Sequence, residues 1–187
     1  MIRTVLMAGA ALSAALTMPL TAQDQANEAQ EIDYAGFELL TSEVAAIRQE
    51  RLLSLADFNA HAAETDSLIL DTRSVAAFEL GHIEGAVNLP FSDSTEEKLR
   101  EVIGDNKDRK ILIYCNNNFS DNVPPVRLKI ASLALNIPTF INLIGYGYEN
   151  VWELGETVTT ADVAWVGTTP MAQFQAQFSQ TERTSQQ

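Results

Sequence analysis

The chain has 187 residues, of which 46% are hydrophobic and 20% charged, enough apolar side chain for one packed domain with end segments and too much for wholesale disorder. Twelve Lys and Arg against 25 Asp and Glu leave a formal charge of −13. Such an excess repels phosphate backbones and anionic lipid heads, so no nucleic acid partner is expected, and the acidity reads as a solvated surface rather than a site.

Met1-Ile2-Arg3 makes a positively charged start, residues 5–20 form an apolar run, and Leu20-Thr21-Ala22 offers a small-residue cleavage site before polar Gln23-Asp24-Gln25. The pattern predicts a secretory signal peptide over residues 1–22. Its apolar core is shorter than the ~20 residues of a spanning helix, so no membrane insertion is expected after cleavage. The mature protein is expected in a periplasm or secreted. Exported proteins commonly pair their cysteines, but this chain has a single one, Cys115, which can form no internal disulfide.

Residues 23–50 read as a linker and a leading helix, with Leu39, Leu40, Val44 and Ile47 at helical spacing. Residues 52–55 suggest a short strand, and Asp57 is the expected N-cap of a helix carrying Phe58, Ala60, Ala62 and Ala63. Residues 67–70 read as a buried strand running into Asp71-Thr72-Arg73. Ser74 then caps a helix that Gly81 stops, and residues 86–89 form a strand closed by Pro90. A helix over 94–103 ends at Gly104, and the apolar strand 111–114 delivers Cys115. Pro124-Pro125 is expected to open a helix through Val126, Ile130, Leu133 and Leu135. Residues 139–142 read as a last core strand, followed by a Gly145-Tyr146-Gly147 turn and a short helix to Trp152. Residues 156–187 read as a partly disordered extension, with 163–166 packing as an extra segment and 173–187 fraying. Strands alternating with helices predict an α/β fold, a mostly parallel central sheet with helices on both faces and a ligand crevice beyond the carboxyl ends of the strands.

Cys115 stands where an apolar strand gives way to a polar loop ahead of a helix start. Backbone N–H groups there can favour a thiolate or persulfide anion. A buried, inert cysteine ending a strand has the same spacing, and the spacing alone leaves both readings open.

The stretch Leu70-Asp71-Thr72-Arg73, followed by Phe78-Glu79-Leu80-Gly81-His82-Ile83-Glu84-Gly85-Ala86-Val87-Asn88-Leu89-Pro90, resembles the signature of the rhodanese family. In that family a strand ending Asp-x-Arg precedes a helix and then Gly-His-Ile-x-Gly-Ala. Residues 111–115 are similar to the strand that delivers the family's catalytic cysteine, and Gly145-Tyr146-Gly147-Tyr148 with Trp152 resembles its closing Gly-Gly-x-x-x-Trp element. The resemblance spans residues 51–155. It implies a rhodanese-like three-layer sandwich and a sulfurtransferase of thiosulfate or polysulfide type. Sulfane sulfur would pass through a persulfide on Cys115 to a thiol or cyanide acceptor. The implied partners are a small sulfur donor and a thiol acceptor, small molecule or protein, with no organic cofactor. Asn116, Asn117, Asn118, Phe119, Ser120 and Asp121 would form the substrate-binding loop. Asp71 and Arg73 would brace it, and His82 would pin the turn between Gly81 and Gly85 by a structural hydrogen bond. Two His, one Cys and no ligand spacing predict no metal site.

The loop departs from the family pattern, in which four residues, often including Gly and Arg, separate the cysteine from a Ser or Thr that opens the helix. Here residues 116–123 precede Pro124-Pro125, and Asp121 is their only formal charge. Asp121 reads as a turn or capping residue, and the Asn run as either amide donors to an oxyanion or left-handed turn positions. This makes a polysulfide or organic persulfide an alternative donor to thiosulfate. Two other functions stay open: a catalytically silent rhodanese-fold module for binding or redox sensing, and a phosphatase-like enzyme, which the missing loop Arg disfavours.

Overall fold

The computed structural model describes residues 32–168. The expected signal peptide, the polar stretch after it and the fraying tail lie outside the described residues. In chain order the elements are α1 (Tyr34–Gln49), β1 (Leu52–Leu53), α2 (Leu55–Ala62), β2 (Leu68–Asp71), α3 (Val75–Leu80), β3 (Gly81–Ile83), β4 (Ala86–Asn88), α4 (Glu96–Ile103), β5 (Ile111–Tyr114), α5 (Asn136–Gly145), β6 (Val151–Leu154) and β7 (Trp165–Gly167).

Strands β2 and β5 are buried at all four positions, as strands covered on both faces must be. They occupy the middle of a five-stranded sheet ordered β1-β6-β5-β2-β4, in which every pairing is parallel. Side chains alternate across it. Leu68, Leu70, Ile111, Ile113 and Val151 pack with Val44 of α1, Leu99 and Ile103 of α4, and Phe140 and Leu143 of α5. Ile69, Leu112, Tyr114 and Leu154 pack on the other face with Phe58 of α2, Ile83, Phe119 and Val126. The result is the expected three-layer α/β sandwich. A small antiparallel pair, β3 with β7, sits apart from the main sheet and contains residues expected to pack as an extra segment.

Four local expectations are corrected. The cap of α2 is Ser54, whose hydroxyl accepts the Asp57 N–H at 3.1 Å; Asp57 lies in the first turn, where its carboxylate still suits the helix dipole. Pro124-Pro125 opens no helix. Val126 is buried in the second core while Leu128, Ile130 and Leu133 are exposed, so the apolar spacing there serves no helical face. Backbone N–H groups of Leu128 and Lys129 are satisfied by the side chains of Asn122 and Asn117 instead. Residues 139–142 are helical, within α5, where Asn136, Thr139, Phe140 and Leu143 are buried at a 3.6-residue spacing. Trp152 lies on a strand, β6, rather than a helix, with Val151 buried beside it and the Arg51 guanidinium over its ring at 4.4 Å.

Candidate active site

Because successive side chains of a strand alternate, Cys115, one residue beyond β5, shares the face of Ile111 and Ile113 and meets α5. It is buried, 1% exposed. A single 3-10 turn, Asn116–Asn118, follows it, and an irregular excursion then runs to Leu135 before α5 begins. The α-helix after the cysteine thus starts at Asn136, far later in sequence than in the family pattern, yet its N-terminus returns to the same point. The Asn117 N–H donates to Sγ at 3.4 Å, and the backbone amides of Leu135 and Asn136 also act on the sulfur. Burial pushes the Cys115 thiol up from its ordinary value; the amides of Asn117, Asn136 and Leu135 pull it down, and the Glu153 charge adds to the rise.

The loop residues divide into distinct roles. Asn118 is buried: its Oδ1 accepts the Cys115 N–H at 2.9 Å, and its Nδ2 donates to the Leu154 carbonyl at 2.6 Å. Asn117 clamps Lys129, accepting its N–H at 3.1 Å and donating to its carbonyl at 2.8 Å. The buried carboxamide oxygen of Asn116 has no hydrogen-bond partner. Phe119 is fully buried between Tyr114 and Trp165, Ser120 bonds the Val158 carbonyl, and the Asp121 carboxylate accepts the Thr160 N–H at 2.9 Å. Phe119 through Asp121 therefore anchor the loop to the segment after β6. Asn116, Asn117 and Asn118 are the members that stay beside the thiol.

The supporting residues form a separate buried knot. Arg73 donates through Nε to both Asp71 oxygens at 3.0 Å and through Nη2 to Asp71 at 2.6 Å and to the Gly81 carbonyl at 2.8 Å. Tyr114 donates to Asp71 at 2.6 Å; its phenol is held well above its ordinary value by burial and then by the Asp71 charge, so it stays a donor. Arg73 reaches the long loop at one point, the Pro125 carbonyl, at 3.4 Å. The brace thus acts on the far part of the loop and on the residue preceding Cys115. His82 donates through Nδ1 to the Phe78 carbonyl at 2.8 Å and stacks on the Phe78 ring, pinning the end of α3 to β3.

Three residues beside the thiol escaped the sequence reading. Glu153 on β6 is 3% exposed, Asn136 opens α5, and Arg48 belongs to the last turn of α1. Arg48 donates through Nε and Nη2 to the two Glu153 oxygens, each at 2.6 Å. Asn136 donates to Glu153 and to Asn118 Oδ1, both at 3.0 Å. The signal was present for one of them: a Glu inside the apolar run Val151-Trp152-Glu153-Leu154 is a charge that needs a partner. Arg48, Asn117, Asn118, Asn136 and Glu153 border a cavity of about 330 Å³. Among the described residues, no cluster of His, Cys, Asp and Glu has the makings of a metal site.

The model of the rhodanese-like domain matches residues 54–154, more than half of the chain. Among curated relatives, the tRNA uridine(34) hydroxylase of Leptospira interrogans is 39% identical over 66 residues, 34% of this chain and 18% of that protein. The enzyme of the same name from Escherichia fergusonii is 29% identical over 104 residues, 54% of this chain and 25% of that one. The chain spans a quarter or less of the length of either. Among solved structures, a Bacillus halodurans protein is 16% identical with a TM-score of 0.49, covering 68% of this chain and 85% of that one. A rhodanese-like domain from an Anabaena protein is 20% identical with a TM-score of 0.44, covering 63% and 80%. The family model, matched across the strands that carry Asp71, Cys115 and Glu153, shows that this chain belongs to the rhodanese-like domain family.

Proposed function

We propose that the protein is an exported sulfurtransferase that carries sulfane sulfur on Cys115. The observation behind this reading is the convergence on one sulfur of the Asn117 amide and the first amides of α5. Such a cradle favours an anion on sulfur, whether thiolate or persulfide. In the first step the Cys115 thiolate attacks the outer sulfur of a donor; the donor's S–S bond breaks and its remainder leaves with the bonding pair. In the second, an acceptor thiolate attacks the outer sulfur of the Cys115 persulfide and the Cys115 thiolate leaves. Neither step changes the overall oxidation state. The turn Asn116–Asn118 beside the thiol brings amides and no cation, which suits a polysulfide or organic persulfide better than doubly charged thiosulfate. A charge of −13 fits a thiol acceptor better than a nucleic acid, even though the relatives named above act on tRNA. The apolar run at residues 5–20 supports export to a periplasm or beyond.

The test is incubation with polysulfide or thiosulfate, whose leaving groups are the shortened polysulfide and sulfite, followed by intact mass measurement. One added sulfur is expected on the wild type and none on Cys115→Ser. No adduct with any donor sinks the enzymatic reading and favours the second one, a rhodanese-fold binding or redox-sensing module. The burial of the thiol speaks for that module. A phosphatase-like chemistry is disfavoured, because Arg73 is already committed to Asp71 and the loop offers no other buried guanidinium.

A further inference from the structure

The family match begins at residue 54, but the chain of contacts beside Cys115 begins earlier, on α1. Arg48 grips both oxygens of Glu153; Glu153 accepts from Asn136; Asn136 donates to Asn118 Oδ1; and the same oxygen accepts the Cys115 N–H. Glu153 is 3% exposed and its charge acts on the Cys115 sulfur, while Arg48 also lies within electrostatic reach of that sulfur. A buried carboxylate without a cation is costly, and Arg48 supplies the cation, bound to both Glu153 oxygens.

We propose that Arg48 is a positioning residue for Cys115: its ion pair with Glu153 anchors the network that holds the Cys115 amide and offsets the carboxylate charge facing the thiol. This rests on the reading of Cys115 as the reacting group. Glu153 is then a lever on the thiol, with Arg48 as its counterweight. The other groups around the thiol do not compete for this role. Helix α5 carries no charged residue, Tyr114 is neutral, and Asp71 and Arg73 neutralise each other. Arg127 and Lys129 are exposed on the loop, and the Glu156 carboxylate accepts the Leu55 N–H.

The single cysteine permits a direct test. With isotopically labelled cysteine, the thiol titration is followed by carbon NMR in the folded protein, independent of reagent access. Glu153→Gln keeps an acceptor for Asn136 and leaves Arg48 as an uncompensated cation; the titration is expected to move down, raising the thiolate fraction at neutral pH about threefold to tenfold. Adding Arg48→Met to that variant should remove the gain, and Arg48→Lys alone should titrate as the wild type. Should Glu153→Gln not fold, Glu153→Met leaves the same lone cation and carries the same expectation. An unmoved or raised titration in the Glu153 variant overturns the proposal, as does a double variant that keeps the gain. A purely structural pair lowers stability in these variants without this reversal of sign. Sulfur loading of the wild type separates the two readings: loading with unmoved titrations removes this proposal alone, and the expected shifts without loading remove the sulfur-transfer reading alone.

Discussion

Cys115 and Asn118 bind each other twice: the Cys115 N–H donates to Asn118 Oδ1 at 2.9 Å, and the Asn118 N–H donates to the Cys115 carbonyl at 3.1 Å. This reciprocal pair closes the turn after β5 as a capping box closes a helix, with Cys115 in the cap position. The sulfur is therefore placed by a side chain of its own loop.

Replacing Asn118 by Ala removes the buried acceptor for Cys115 and Asn136, the buried donor to Leu154 and a half-buried donor to Glu156. Unpaired buried groups cost about 1–3 kcal/mol each, partly relieved by relaxation, so a loss of about 2–3 kcal/mol is expected. A lowered urea midpoint at unchanged slope is the measurement. A loss below about 0.5 kcal/mol contradicts the anchoring role.

Asn117 makes a different kind of contact, a side-chain clamp on the backbone of Lys129, while its own N–H serves the sulfur. Asn117→Ala keeps the amide and loses the clamp. The exposed run 127–133 should then open more readily, and alkylation of Cys115 at fixed pH should quicken about threefold or more if opening limits access. An unchanged rate with a small neutral reagent means that the clamp does not guard the thiol.

The sequence carried the scaffold clearly and the site only in part, for a physical reason. The strands that hold Asp71 and Cys115 are short continuous apolar runs with sharp boundaries, and Ser74 and Gly81 mark the ends of α3 by local chemistry. The run at 139–142 reads as a strand because Thr139, Phe140 and Ile141 suit a strand or a buried helix equally, and only packing on β5 and β6 decides. The excursion through Pro124 to Leu133 has helical spacing without an α-helix because the side chains of Asn122 and Asn117, six and twelve residues earlier, take the backbone N–H groups of Leu128 and Lys129. Arg48 and Glu153 are 105 positions apart, so no local pattern joins them.

Gly81 is required for space, since its φ of 167° is extended backbone open to any residue. A Cβ there would stand 2.5 Å from Trp165 Nε1 and 2.7 Å from two further atoms of the indole. Gly81→Ala should therefore push Trp165 off β3 and cost about 1–3 kcal/mol, with a red shift in tryptophan emission. Trp165→Phe in the same chain removes the indole atoms at fault and should restore part of the loss. Two fully additive effects count against this account, because residues in contact should couple.

The raised thiol of Cys115 has a sign that stability can read. A group that holds its proton more tightly when folded contributes stability that is fully present below its unfolded value, here near the ordinary 9.0, and lost as the pH rises through the folded value. Tyr114 is raised as well and acts in the same direction, so the wild type alone cannot separate the two. The comparison with Cys115→Ala can. Unfolding free energies of both proteins, measured from about pH 7 to pH 10.5, should diverge above the ordinary thiol range, the wild type losing up to about 1.4 kcal/mol per pH unit more than the variant. Below that range the difference should be constant, reporting only the packing lost with the sulfur. Parallel curves across the whole interval mean that burial does not hold the Cys115 proton, and that the amides of Asn117, Leu135 and Asn136 already outweigh it in the resting protein.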